Sequence, residues 1–242
     1  MTTVISHSYG GRLGNQIIRN IAVSLIAEKF NLQVTYSSQP FMDDLGIPLY
    51  SGYTVHAETR PLTESNYFDI LDAETLEYNL NPNQSFFQTT RIIQRIYQYV
   101  QDHHMSIMKR NPYQARYQTN NDVFVHIRLT DVKQYSPGLH YYQSTIKKVG
   151  GHTLYISTDE KTHEIVTSLT KMYPEAIVMD ANEVQTIQFA STCKHVILSH
   201  GSFSSIIGYV SFFSNVYYPT HTSGKIWYGD LCCIPSWMKC SI

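Results

Sequence analysis

From residue 123 onward, short apolar runs alternate with stretches of helical periodicity, and this alternation limits the fold more than any other feature of the chain. Val123–Ile127, Thr153–Ser157, Ala176–Met179, His195–Leu198 and Val216–Tyr218 read as strands, while Thr162–Met172, Glu183–Ser191 and Ser202–Phe213 read as helices. Apolar strands separated by helices build a parallel sheet covered on both faces. The chain opens the same way. Val4 and Ile5 lead an extended run to Tyr9, a glycine loop follows, and Ile17, Ile18, Ile21, Ala22, Leu25, Ile26 and Phe30 form one helical stripe. Asn31 closes that helix, and Gln33–Ser37 is the next strand. Between residues 38 and 120 Pro and Gly interrupt the pattern, leaving Thr90–Met108 as the one firm helix. The polar stretch Asn111–Asn121 is the expected boundary. The expected fold is α/β, most simply two halves joined near residue 115.

Composition removes several function classes. The 242 residues carry 18 Lys+Arg against 19 Asp+Glu, a net charge of −1, whereas a dedicated nucleic-acid binder shows a basic excess. With 13% aromatic and only 15% charged residues, the chain is not a disordered one. The 19 Tyr suit a hydroxyl-rich partner such as sugar and a plain Tyr-rich core alike. Cys193, Cys232, Cys233 and Cys240 form no Cys-x-x-Cys pair, and the N-terminus shows neither a basic nor an apolar leader region. A reduced, cytoplasmic protein is expected. The most apolar stretch, Val196–Tyr218, contains His200, Asn215 and six serines and does not read as a membrane span.

Four polar clusters sit at the carboxyl ends of expected strands, the edge where open α/β sheets bind ligands. In the first, Gly10-Gly11-Arg12-Leu13-Gly14-Asn15-Gln16, glycines between strand and helix allow backbone N–H groups to approach an anion. A bare turn explains the glycines equally well but not Arg12 and Asn15. The second strand ends in Ser37-Ser38 without the acid of a dinucleotide fingerprint, which disfavours a Rossmann oxidoreductase. In the second cluster, His126 and Arg128 share one face by period two. Arg128 is placed to clamp phosphate through its planar fork, or to tie down the loop by pairing with Asp131. Asp159, in Ser157-Thr158-Asp159, is a base or ribose acceptor or else a helix N-cap. In the fourth, Gly201-Ser202-Phe203-Ser204, either hydroxyl binds an anion or caps the helix.

Taken together, these segments resemble a known group. Gly11-Arg12-Leu13-Gly14-Asn15-Gln16 is similar to the G-x-G-N-Q segment of α-1,2-fucosyltransferases and the G-R-F-G-N-Q form of protein O-fucosyltransferases. His126-Ile127-Arg128-Leu129-Thr130-Asp131 resembles their His-x-Arg-Arg-x-Asp motif, Ser157-Thr158-Asp159 their Ser/Ala-Thr-Asp segment, and Ser202-Phe203-Ser204 their Ser-x-Phe-Ser helix start. Order and rough spacing match over nearly the whole chain. Two departures stand out: Leu129 replaces the second Arg, and Thr130-Asp131-Val132 replaces Gly-Asp-Tyr.

The resemblance implies a GT-B-type glycosyltransferase, two compact Rossmann-like halves facing a cleft, that moves L-fucose from GDP-fucose to a glycan hydroxyl, with inversion. No metal cofactor is expected, and the sequence has no Asp-x-Asp. Residues 1–115 would face the acceptor and 116–242 would hold the nucleotide sugar. Arg128 would hold the diphosphate, with Arg12 and Asn15 reaching it from the other half across Gly11 and Gly14. Asp159 would face the guanosine, Ser202, Phe203 and Ser204 would line base and phosphates, and His126 would support Arg128 or touch the nucleotide. An inverting transfer also needs a base, and His7 and His200 are the placed candidates. The alternative reading, raised by Leu129, is a non-catalytic GT-B-like protein that binds nucleotide or glycan.

Overall fold

The computed structural model describes residues 4–6, 11–82, 85–131, 133–220 and 230–242. Its first half begins with strand β1 (Val4–Ser6) and helix α1 (Leu13–Phe30), followed by β2 (Val34–Tyr36), which pairs with β1 in parallel. The α1 stripe is what the sequence demands: Ile17, Ile18, Ile21, Ala22 and Ile26 have no exposed surface, and Asn31 ends the helix in the left-handed conformation. Then come α2 (Gln39–Leu45), β3 (Thr59–Pro61), α3 (Tyr67–Asp72) and β4 (Asn79–Asn81), with β3 and β4 forming a second parallel pair. The expected helix at 90–108 is two helices, α4 (Thr90–Asp102) and α5 (His104–Arg110). At the junction the His103 and His104 rings turn back onto the carbonyls of Tyr99 and Gln101, each at 2.8 Å, and occupy acceptors at the end of the first helix.

The second half contains β5 (Val123–Ile127), α6 (Gly138–Val149), β6 (Leu154–Thr158), α7 (Glu164–Met172) and β7 (Ile177–Val178). It continues with α8 (Glu183–Ala190), β8 (His195–Ile197), α9 (Ser202–Tyr209), β9 (Asn215–Pro219) and β10 (Met238–Cys240). All six strands are parallel, in the order β10-β9-β8-β5-β6-β7. The first strand of this half lies in the middle, the next two run out on one side and the last three on the other. That is the doubly wound arrangement, with its topological switch point between β5 and β8. Helix α9 stops at Tyr209, short of the expected Phe213, where Ser211 Oγ donates to the Ile207 carbonyl at 2.6 Å.

One apolar cluster runs through both halves, joining Ile17 and Ile21 of α1, Ile92 and Ile96 of α4, and Ile206 and Ile207 of α9. A second fills the other face of the six-stranded sheet with Val125, Ile127, Tyr141, Tyr142, Ile156 and Leu169. Among the described residues no helix is long and apolar enough to cross a membrane.

Candidate functional site

A cavity of about 230 Å³ opens at the carboxyl edge of the six-stranded sheet. His126 and Arg128 from β5 and its end, Ser157–Asp159 from β6, Asn182 and Glu183 at the start of α8, and Phe203 of α9 form its walls. Arg12 and Leu13, at the start of α1, complete it from the first half. Strand β5 is buried along its whole length, so its alternating register fixes where His126 and Arg128 emerge.

Arg128 is 8% exposed. Its Nη2 donates to both oxygens of Asp131, at 2.9 and 3.0 Å, so the tie expected from sequence is present. Its Nε, however, is buried and meets no hydrogen-bond partner among the described residues. An unsatisfied buried donor costs about 1–3 kcal/mol, which a ligand oxygen would offset. Gly201 passes beside the guanidinium with φ +93°, a left-handed turn that glycine adopts without strain, and a Cβ there would lie 3.6 Å from Arg128 Nη1.

Arg12 reaches across from the other half. It donates to Asp159 Oδ2 at 3.2 Å and Thr130 Oγ1 at 3.0 Å, and stands 3.6 Å from Asp131. Asp159 accepts further from the Leu129 backbone N–H at 2.7 Å and the Thr130 hydroxyl at 2.6 Å. The following helix is instead capped by His163, so Asp159 is not its N-cap. Partial burial opposes ionisation of Asp159, but the hydrogen bonds from Thr130, Leu129 and Arg12 outweigh it and hold the carboxyl below its usual range. For Asp131 burial is likewise overcome, here by the bond from Arg128 and the charges of Arg128 and Arg12.

The glycine loop serves close approach of two helices. A Cβ on Gly14 would fall 2.4 Å from the Phe203 backbone nitrogen, so this glycine lets the starts of α1 and α9 abut. At Gly11 a Cβ would come within 2.9 Å of Asn15 Cβ. Asn15 Oδ1 accepts from the Ser202 hydroxyl and, at 2.8 Å, from Gln88 Nε2, joining three distant segments.

Behind the wall lies a second network. Ser204 Oγ accepts the Ser199 N–H at 2.8 Å and lies 3.0 Å from His126 Nδ1. Ser199 Oγ accepts from the Tyr142 hydroxyl at 3.0 Å and the Arg128 N–H at 3.4 Å, and the His200 ring lies 3.2 Å from it. Burial pushes the His126 imidazole down to about 3, opposed by the charge of Asp159 and aided by those of Arg128 and His200.

Five expected residues therefore line the cavity: Arg12, His126, Arg128, Asp159 and Phe203. Gly11, Gly14, Asn15, Asp131, Ser202, Ser204 and His200 build its frame, and His7 lies outside the described residues. Ser202 and Ser204 were expected as anion binders or caps. Their hydroxyls meet Asn15 and His126, and the cap position of α9 is Gly201, so neither serine is the cap. Sequence reasoning did not single out Gln88, Tyr142, Asn182 or Glu183. Gln88 is far from the motifs in sequence and Tyr142 lies in helix α6, which has no plain apolar stripe, but Asn182 with Gln185 forms a readable capping box that marks the helix start at the cavity. Among the described residues no group of three or more His, Cys, Asp or Glu is placed to hold a metal ion.

No protein-family model matches the chain, and no curated protein does. Among solved structures, NodZ α-1,6-fucosyltransferase co-crystallised with GDP matches with a TM-score of 0.52 at 13% identity, covering 89% of this chain and 94% of that one. POFUT1 in complex with GDP-fucose matches with a TM-score of 0.48 at 10% identity, covering 86% and 95%. The chain shares the α/β, GT-B-like fold of NodZ.

Proposed function

We propose that the protein is a glycosyltransferase that transfers a sugar from a nucleoside diphosphate donor to a glycan hydroxyl. The donor favoured by the motif resemblance is GDP-fucose, and the NodZ structure with the same fold was obtained with GDP. In this reading residues 1–115 form the acceptor side and 116–242 the donor side of the cleft. The observation that carries the proposal is Arg128: buried at the switch-point edge, fixed by Asp131 through Nη2, with Nε still lacking a partner among the described residues. As the bond from the sugar C1 to the diphosphate breaks, negative charge grows on the leaving group. A guanidinium already fixed in place stabilises that charge without reorganising. Arg12, paired with Asp159, brings a second cation from the opposite half, and in this reading the two guanidiniums take the role a metal would otherwise have on the diphosphate.

The acceptor hydroxyl must lose its proton. Of the two histidines proposed for this role, His200 is 1% exposed and stands behind the cavity wall, and His7 is outside the described residues. Rates of His7→Ala and His200→Ala against pH test them, and two unaffected profiles refute both.

Leu129 supports a second reading. Where the resembling motif has Arg, Leu129 is 2% exposed and packs into the core cluster, so this position offers the cavity no cation. A protein that binds nucleotide or glycan without turnover fits that loss. Release of free sugar and GDP from GDP-fucose separates the readings: hydrolysis above the buffer rate supports the enzyme, and binding without hydrolysis supports the alternative.

A further inference from the structure

Ser204 is 1% exposed, and its hydroxyl already accepts the Ser199 N–H at 2.8 Å. It has one proton to give. A hydroxyl sealed this deeply needs an acceptor for that proton. Among the described residues, the acceptor recorded within reach is His126 Nδ1, at 3.0 Å. The opposite assignment, with the proton on Nδ1, would give the hydroxyl two incoming donors and leave its own proton unmatched, at the penalty of an unsatisfied buried group.

We propose that Ser204 is a positioning residue: by donating to Nδ1 it holds His126 in the Nε2–H tautomer, so that the ring meets a ligand oxygen in the cavity as a hydrogen-bond donor. The ring is also fixed by Phe203, 5.2 Å away centroid to centroid, and both rings line the cavity. With Nδ1 engaged, Nε2 is the nitrogen left to address a ligand. Burial keeps the imidazole neutral near pH 7, because the charged form is strongly disfavoured there. His126 thereby adds a donor beside Arg128 without burying a second charge. Phosphate and ribose oxygens both accept such a bond. The identity of the ligand rests on the nucleotide-sugar reading, whereas the tautomer does not.

The test is the imidazole nitrogen spectrum of the full chain labelled with ¹⁵N-histidine at pH 7, with the His126 signals assigned by their loss in His126→Gln. Wild type and Ser204→Thr, which keeps the hydroxyl, are expected to show a protonated Nε2 and a bare Nδ1. Ser204→Ala is expected to shift the proton toward Nδ1 and to weaken GDP binding about tenfold, while Ser204→Thr stays within about twofold of wild type. A wild-type His126 protonated on Nδ1 overturns the proposal, as does a Ser204→Ala protein that keeps the Nε2–H tautomer. If Ser204→Ala does not fold, the wild-type and Ser204→Thr spectra still decide. A wild-type Nε2–H tautomer in a protein that binds no nucleotide supports the assignment and rejects the nucleotide-sugar reading instead.

Discussion

Arg128 and Arg12 face the same cavity from the two halves of the chain, and they are held in different ways. Arg128 extends a five-residue strand in the middle of a six-stranded sheet, and its side chain is 10% exposed, tied to Asp131 of its own half. Arg12 precedes α1, in a half whose strands are three residues long, and its side chain is 49% exposed. Its partners, Thr130, Asp131 and Asp159, all belong to the other half. A rigid parallel sheet can aim a charge by its own register. The less regular half aims one only by borrowing acceptors across the cleft. The Arg128 guanidinium is shielded by burial although its partner Asp131 is 49% exposed, whereas solvent screens Arg12 directly.

This asymmetry sets the expected sizes of four effects. Arg128→Ala is expected to lower turnover of GDP-fucose by 100-fold or more, in line with about 2.7–4 kcal/mol for one preorganised donor to developing charge. Steady-state rates that match wild type would remove Arg128 from the mechanism. The next effect comes from His126, held neutral by burial, with the charge of Asp159 opposing and those of Arg128 and His200 adding to it. Its folded pKa lies below the ordinary value of 6.5, so between 6.5 and about 3 the unfolded chain binds the extra proton and stability falls as pH falls. The slope approaches about 1.4 kcal/mol per pH unit, and no further loss comes from this group below about pH 3. Urea titrations at pH 7, 6 and 5 should show it, and His126→Gln should flatten it. Equal slopes in both proteins would mean the ring is not the source.

Gly14→Ala tests the seam between the halves. Its new Cβ meets Phe203 backbone at 2.4 Å, which neither helix can yield easily. A loss of about 1–3 kcal/mol in chemical denaturation is expected, as for other overpacked sites. Full stability would show that α1 and α9 are not pressed together. Smallest is Arg12→Ala. Its exposed pairs contribute about 0–1 kcal/mol to stability, and its effect on turnover should stay well below that of Arg128→Ala. Equal losses in the two variants would break the comparison.

How legible each region was from sequence follows from the same contrast. Val123–Ile127 is buried on both faces and reads as an apolar run broken only by His126, and the structure places a strand over those very residues. The α1 stripe was equally plain. In the first half, β3 (Thr59–Pro61) is exposed throughout, so no alternation announces it. Helix α6 was missed because Gly138 opens it and Tyr141 and Tyr142 are adjacent, whereas helical periodicity is read from spaced aliphatic residues. Most site residues could be named because polar groups crowd the strand ends. Which hydroxyl meets which partner was not readable, since Asn15 and Ser202 are 187 positions apart, as was Gln88's place beside them.

The central claim is that Arg128 makes this cavity a nucleoside diphosphate site. Calorimetric titration of GDP into wild type and Arg128→Ala, under identical buffer and salt, tests it most directly. The account predicts saturable binding to wild type and at least about tenfold weaker binding to the variant, the 1.4 kcal/mol equivalent of one lost charged contact. Equal affinity in the two proteins, or no binding to wild type, would contradict it.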